Sequence, residues 1–153
     1  MRCVQRSIWE FRHDESVNGR NNKTKLTMTR RFDHIDLRVR NLAEVRPFYD
    51  RLLPALGFTR AVSIPGWLTY EAEDSEGVTE FFGVTESLSH VANECRVAFW
   101  VDSREEVDRL ATLVSQVGAR NIEGPLYEDP QYYAVFFEDP SGNRLEICNR
   151  KNR

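Results

Sequence analysis

Cysteine is scarce in this chain: Cys3, Cys95 and Cys148 are the only three among 153 residues. None of them lies in a CxxC pair, and an odd count argues against a disulfide framework. Such usage suits a reducing compartment, and the cytoplasm is the expected location. Long apolar runs are also missing. Nothing approaches the roughly 20 consecutive apolar residues of a membrane span, and no apolar segment follows the first residues as it does in a secretory signal. Positive charge is short outside the amino-terminal stretch. Residues 1–31 hold eight Lys and Arg against three Asp and Glu, whereas the remainder holds 13 against 21. An acidic body repels a phosphate backbone, so no nucleic-acid partner is expected. The basic residues 1–31, with the polar run Asn18 to Lys23, read as a disordered leader. One folded domain is expected over 32–150.

What is present is alternation, and it occurs twice. From Phe32 to Val39, Ile35, Leu37 and Val39 point one way while His34, Asp36 and Arg38 point the other, the period of a half-buried strand. Asn41 and Glu44 then have the spacing of a helix N-cap and its capping-box partner. Phe48, Leu52, Leu53 and Leu56 form an apolar stripe that Gly57 ends. Pro47 and Pro54 interrupt this stretch, so a kink or an irregular turn is expected. Strands are expected near 58–63, 67–72 and 78–84, separated by Pro65-Gly66 and by the acidic turn at 74–77.

The second half follows the same order. Val97, Phe99 and Val101 alternate with Arg96, Ala98 and Trp100; Ser103 and Glu106 make a capping box; and Val107, Leu110, Ala111 and Val114 form a stripe that stops at Gly118. Strands are expected near 119–123, 131–138 and 144–149. A shift of 62 residues lays His34 on Arg96, Leu37 on Phe99, Asn41 on Ser103 and Glu44 on Glu106. The pattern predicts an α+β fold of two βαβββ modules, 32–86 and 95–149, forming a curved mixed sheet around a central cleft with the helices outside. Each half alone buries little, so the halves are expected to pack together or to pair with those of a second copy, as a homodimer.

The apolar strand faces belong under the helices. The mixed faces then carry His34, Asp36, Arg38, Arg96, Trp100, Arg144, Glu146 and Cys148 toward a shared hollow, with Glu80 brought in from the fourth strand. Charges gathered there need partners or a bound ion. Arg38, Arg96 and Arg144 have the fork geometry to grip an anionic ligand, or else they pair with Asp36, Glu80 and Glu146. Trp100 and Tyr133 are among the aromatics able to line a small-molecule cleft, or to serve as ordinary core.

The segments Phe32 to Val39, Phe48-Tyr49, Val97-Ala98-Phe99 and Asp139-Pro140-Ser141-Gly142-Asn143-Arg144-Leu145-Glu146 resemble the vicinal oxygen chelate superfamily. That group includes glyoxalase I, bleomycin-resistance proteins, fosfomycin-resistance enzymes and extradiol dioxygenases. The resemblance implies a divalent metal (Zn, Ni, Mn or Fe) with His34, Glu80 and Glu146 as ligands, and Glu80 or Glu146 as the catalytic proton carrier. It implies a lyase, isomerase or dioxygenase acting on a small oxygen-rich substrate. Arg96 departs from the pattern, because metal-binding relatives usually have histidine there. A guanidinium has no lone pair for a metal. That departure favours the other reading, a non-catalytic module that sequesters a drug or metabolite.

Overall fold

The structure, a computed structural model, describes residues 32–74 and 77–151; the expected leader, residues 1–31, lies outside that range. The first module is β1 (His34–Val39), α1 (Leu42–Ala55), β2 (Arg60–Ile64), β3 (Trp67–Asp74) and β4 (Gly77–Glu86). The second is β5 (Arg96–Trp100), α2 (Arg104–Gln116), β6 (Arg120–Asp129), β7 (Tyr132–Glu138) and β8 (Arg144–Arg150). This is the expected α+β pair of βαβββ units. Each module forms its own four-stranded mixed sheet, in the orders β1-β4-β3-β2 and β5-β8-β7-β6. The first strand of each module runs parallel to the last, and the other pairs are antiparallel. No described helix is long and apolar enough to cross a membrane.

The helix ends follow the local chemistry. Asn41 Oδ1 accepts from the Ala43 and Glu44 amides at 3.0 and 3.3 Å, and Ser103 Oγ accepts from the Glu106 amide at 3.2 Å. Each side chain satisfies amide groups that have no partner within their own helix. Both helices close on a glycine in the left-handed region, Gly57 at φ +98° and Gly118 at φ +97°. The following amides, Phe58 and Ala119, then reach back to the Leu53 and Val114 carbonyls. α1 differs from expectation in one respect: it stays helical past both Pro47 and Pro54. Both prolines are exposed, and so are Ala43 and Asp50, whose carbonyls lose their helical donor. Water is free to take those carbonyls, which lowers the cost of each missing bond.

The inner faces of both sheets and the stripes of both helices share one core. Val45, Phe48, Tyr49, Leu52 and Leu53 of α1 join Val107, Leu110 and Val114 of α2. Leu68, Tyr70, Phe82 and Val84 meet Val135, Phe137, Leu145 and Ile147 in the same cluster. Aromatic contacts cross between the modules: Phe48 to Phe137 at 6.3 Å and Phe82 to Phe99 at 5.5 Å between ring centroids.

A polar network locks the same joint. Asp139, in the turn before β8, is fully buried. Tyr49 of α1 donates its hydroxyl to Asp139 Oδ2 at 2.6 Å. Asn143 donates its backbone amide to Asp139 Oδ1 and its side-chain amide to Oδ2, both at 2.9 Å. The same side-chain amide reaches the Arg38 carbonyl of β1 at 3.0 Å, and Asn143 Oδ1 lies 2.9 Å from His90 Nε2. Gly142, at φ +92°, turns the chain so that its amide meets the Asp139 carbonyl. Burial, followed by the Asp139 charge, pushes the Tyr49 hydroxyl well above the usual tyrosine range, so it stays a donor.

Tyr49→Phe is expected to lower stability by about 1–3 kcal/mol, because a buried carboxylate loses a charge-assisted bond. Urea denaturation reads the effect, and an unchanged midpoint would count against the network.

Candidate ligand sites at the module seam and on the open sheet faces

Strand register assigns every expected site residue to a face. In the first sheet, His34 lies opposite Phe81, Asp36 opposite Gly83, and Arg38 opposite Thr85. Across β4 these continue to Glu71, Thr69 and Trp67. This is the outer face, turned away from the core. His34 stacks on Phe81 at 4.5 Å with the rings 5° from parallel, and its Nδ1 lies 2.7 Å from Asp33 Oδ2. Asp36 is held from two sides, by Arg38 Nη1 at 2.5 Å and by the Thr85 hydroxyl at 2.6 Å. Gly83 makes room for this: a Cβ there would stand 3.1 Å from both Asp36 Oδ1 and Trp67 Nε1. Arg38 is therefore engaged in an ion pair within its own strand.

In the second sheet, Arg96 lies opposite Arg144, Ala98 opposite Glu146, and Trp100 opposite Cys148. These also form an outer face, on which Trp100 is 60% exposed. Glu146 is buried among them. Arg96 Nη1 stands 3.6 Å from its Oε2, and its Oε1 is buried without a hydrogen-bond partner. The Arg96 guanidinium also lies over the Phe136 ring, 4.6 Å from its centre. Burial raises the Glu146 carboxyl above the ordinary range; Arg96 is the main opposing influence, followed by Cys148. The Cys148 thiol is pushed up to about 11, first by its own burial and then by Glu146.

Two expected site residues fall on the other side of their sheets. Glu80 lies opposite Ala72 and shares the parity of Phe82 and Val84, which face the core. Tyr133 shares the parity of Val135 and Phe137, and its hydroxyl donates to Asp108 of α2 at 2.7 Å. Of the two roles expected for Tyr133, cleft lining or ordinary core, this contact with α2 favours the second.

Where the modules meet there is a cavity of about 290 Å³. Phe32, Phe58, Phe81, Phe82 and Phe99 supply its aromatic walls, Ile35, Val97 and Ala98 add aliphatic surface, and Asp33, His34 and Glu80 supply the polar groups. His34 and Glu80 therefore border one cavity from opposite faces of β1 and β4. The sequence reading passed over Phe58, Phe81 and Phe99 as part of the site. Phe81 was detectable, since it has the parity opposite to Phe82 and so belongs beside His34.

A metal site requires converging donors. Among the described residues, no group of three or more His, Cys, Asp or Glu side chains is placed to hold a metal ion. His34 is engaged with Asp33, Glu80 has inner-face parity, and the group beside Glu146 is a guanidinium. The expected cup of His34, Glu80 and Glu146 does not assemble within one chain, and these residues do not fit the metal that the resemblance implies.

Two βαβββ modules, each closing a four-stranded mixed sheet and sharing one core, define the class of fold. The family model of the glyoxalase/bleomycin resistance protein/dioxygenase superfamily matches residues 31–147, and the chain belongs to that superfamily. Among solved structures it is similar to a glyoxalase/bleomycin resistance protein from Albidiferax ferrireducens T118, with 24% identity and a TM-score of 0.66, covering 78% of this chain and 98% of that one. It is also similar to a glyoxalase/bleomycin resistance protein/dioxygenase family enzyme from Burkholderia phytofirmans PsJN, with 19% identity, a TM-score of 0.58, and 78% and 98% coverage. A third is the fosfomycin resistance protein FosX from Mesorhizobium loti, with 17% identity, a TM-score of 0.59, and 81% and 95% coverage. At these identities the likeness shows the fold. No curated protein matches the sequence.

Because Arg96 holds the Glu146 carboxyl down against burial, Arg96→Gln is expected to raise that carboxyl further. The folded chain already holds this proton more tightly than the unfolded chain. Glu146 therefore favours folding at low pH, and its contribution falls as pH climbs from the ordinary glutamate range through the raised value. Carboxyl carbon NMR titration of parent and variant checks this, and an unchanged or lowered midpoint would contradict it.

Proposed function

We propose that this chain is a small-molecule-binding member of its superfamily that takes a planar, largely apolar ligand in the seam cavity and does not depend on a resident metal. One observation carries the reading: five phenylalanines line a ligand-sized hollow whose polar groups, Asp33, His34 and Glu80, are gathered in the same cavity. Pockets for small ligands have this makeup, apolar walls with a few polar groups that fix orientation. The two acids favour a ligand that donates, such as a phenol or an arylmethylamine. The sequestering role suggested by the bleomycin-resistance relatives fits this chemistry. A second copy is part of the proposal, because the open sheet faces and the exposed Trp100 suit a homodimer contact. The reducing cytoplasm is the proposed setting, since there the free Cys95 and Cys148 stay as thiols.

A metal-dependent lyase, isomerase or dioxygenase is the second reading, and Glu146 is the residue that favours it. A buried carboxyl with one unpartnered oxygen and a raised pKa is suited to carrying a proton. Glu80, at the cavity, is the alternative carrier. On that reading His34, Glu80 and Glu146 would hold the ion only once donors from a second copy complete the set.

Thermal unfolding with phenol, benzylamine and benzoate distinguishes the two readings. Phenol or benzylamine at ten times its Kd is expected to stabilise the chain by about 1.4 kcal/mol. Ala98→Phe, which fills the cavity from an exposed position, is expected to abolish the shift. If no probe stabilises the parent, or if Ala98→Phe responds equally, the seam reading fails. Mn²⁺, Ni²⁺ or Zn²⁺ added to chelator-treated protein is expected to leave the melting temperature unchanged. A metal shift lost in His34→Gln would support the second reading instead.

A further inference from the structure

Arg96 and Arg144 stand directly opposite each other on the adjacent parallel strands β5 and β8, on the same outer face. Neighbouring strands lie about 4.8 Å apart, and like charges placed opposite one another are destabilising. The carboxylates on hand answer them loosely. Arg96 is 3.6 Å from Glu146, and Arg144 is 3.7 Å from Glu94, whose side chain is 90% exposed. Glu138, across from Arg144 on β7, has its Oε2 taken by the Asn121 amide at 2.9 Å. The Arg96 guanidinium meanwhile rests over the Phe136 ring, 4.6 Å from its centre, while its side chain stays 45% exposed. Both arginines line one hollow of about 210 Å³, together with Phe136, Glu138 and the exposed Glu123.

We infer that Arg96 and Arg144 form a subsite for an oxyanion, the carboxylate or phosphate group of a small ligand. Two guanidinium forks facing one hollow offer paired N–H donors in the geometry that such anions accept bidentately. An anion between them also relieves the repulsion across the strands. Glu123 and Glu138 favour a compact anion held by the arginines over one spread across the hollow. The subsite shares no lining residue with the seam cavity, so it stands whether or not that cavity takes an aromatic ligand.

Calorimetric titration of the full chain with inorganic phosphate at low ionic strength tests the inference. One phosphate per chain is expected to bind, and Arg96→Gln and Arg144→Gln are each expected to weaken it about tenfold. Arg96→Lys, which keeps the charge and loses the fork, is expected to fall between parent and Arg96→Gln. Arg51→Gln, at an exposed position of α1, is expected to bind like the parent. Circular dichroism confirms that each variant is folded. Acetate as a competitor tells the two anions apart: displacement of phosphate indicates a carboxylate subsite, and failure to displace it indicates a phosphate subsite. The inference is overturned if the parent does not bind phosphate, if both arginine variants bind as the parent does, or if Arg51→Gln weakens binding as much as they do.

Discussion

The buried Asp139 carboxylate is the constraint on which the rest of this structure depends. A carboxylate out of water is costly unless nearby donors answer it. Here they come from both halves of the chain. Tyr49 reaches it from the first helix, and Asn143 from its own turn, with the same Asn143 amide extending to the β1 backbone at Arg38. Hydrophobic contact alone would let two similar modules slide, because it has no direction. Directional bonds to one buried charge set their relative position. The seam cavity depends on that position, since Phe58 and Phe82 come from one module and Val97 and Phe99 from the other.

A second consequence follows from strand parity. The inner faces of both sheets merge into one core, so the charged side chains of β1, β5 and β8 fall on the outer faces. The two outer faces have diverged although the backbone repeats. On the first, Asp36 is the centre, held by Arg38 and Thr85 over Gly83. On the second, a buried Glu146 is the centre, with Arg96 in the position where the first module has His34. A histidine can offer a lone pair and an arginine cannot. That one replacement turns a possible donor site into a cationic face, and with Arg144 opposite, it points to an anion.

Much of this could be read from the residues in order. Alternation placed β1 and β5, and the paired caps at Asn41 and Ser103 with the glycines at 57 and 118 placed both helices, because these signals are local. The pairing of Arg96 with Glu146 was also legible, since both lie on outer-face positions of adjacent strands. That Glu80 shares a face with Phe82 was legible from alternation; that this face packs toward the core, with Glu80 left at the seam cavity, depends on tertiary packing. Tyr133 has the amphipathic character that suits either face, and its choice rests on Asp108, 25 residues away. The persistence of α1 through two prolines depends on which side of the helix meets solvent. The seam itself was not legible, because it is made by contacts between halves and no local pattern encodes them.

If Asp139 couples the halves, they unfold as one unit only while that carboxylate is present. Trp67 reports on the first sheet and Trp100 on the second, so single-tryptophan versions of the chain can be followed by fluorescence during urea unfolding. The two transitions are expected to coincide in the otherwise unaltered chain and to separate in Asp139→Ala. Transitions that separate already without that substitution, or that still coincide with it, would contradict the account.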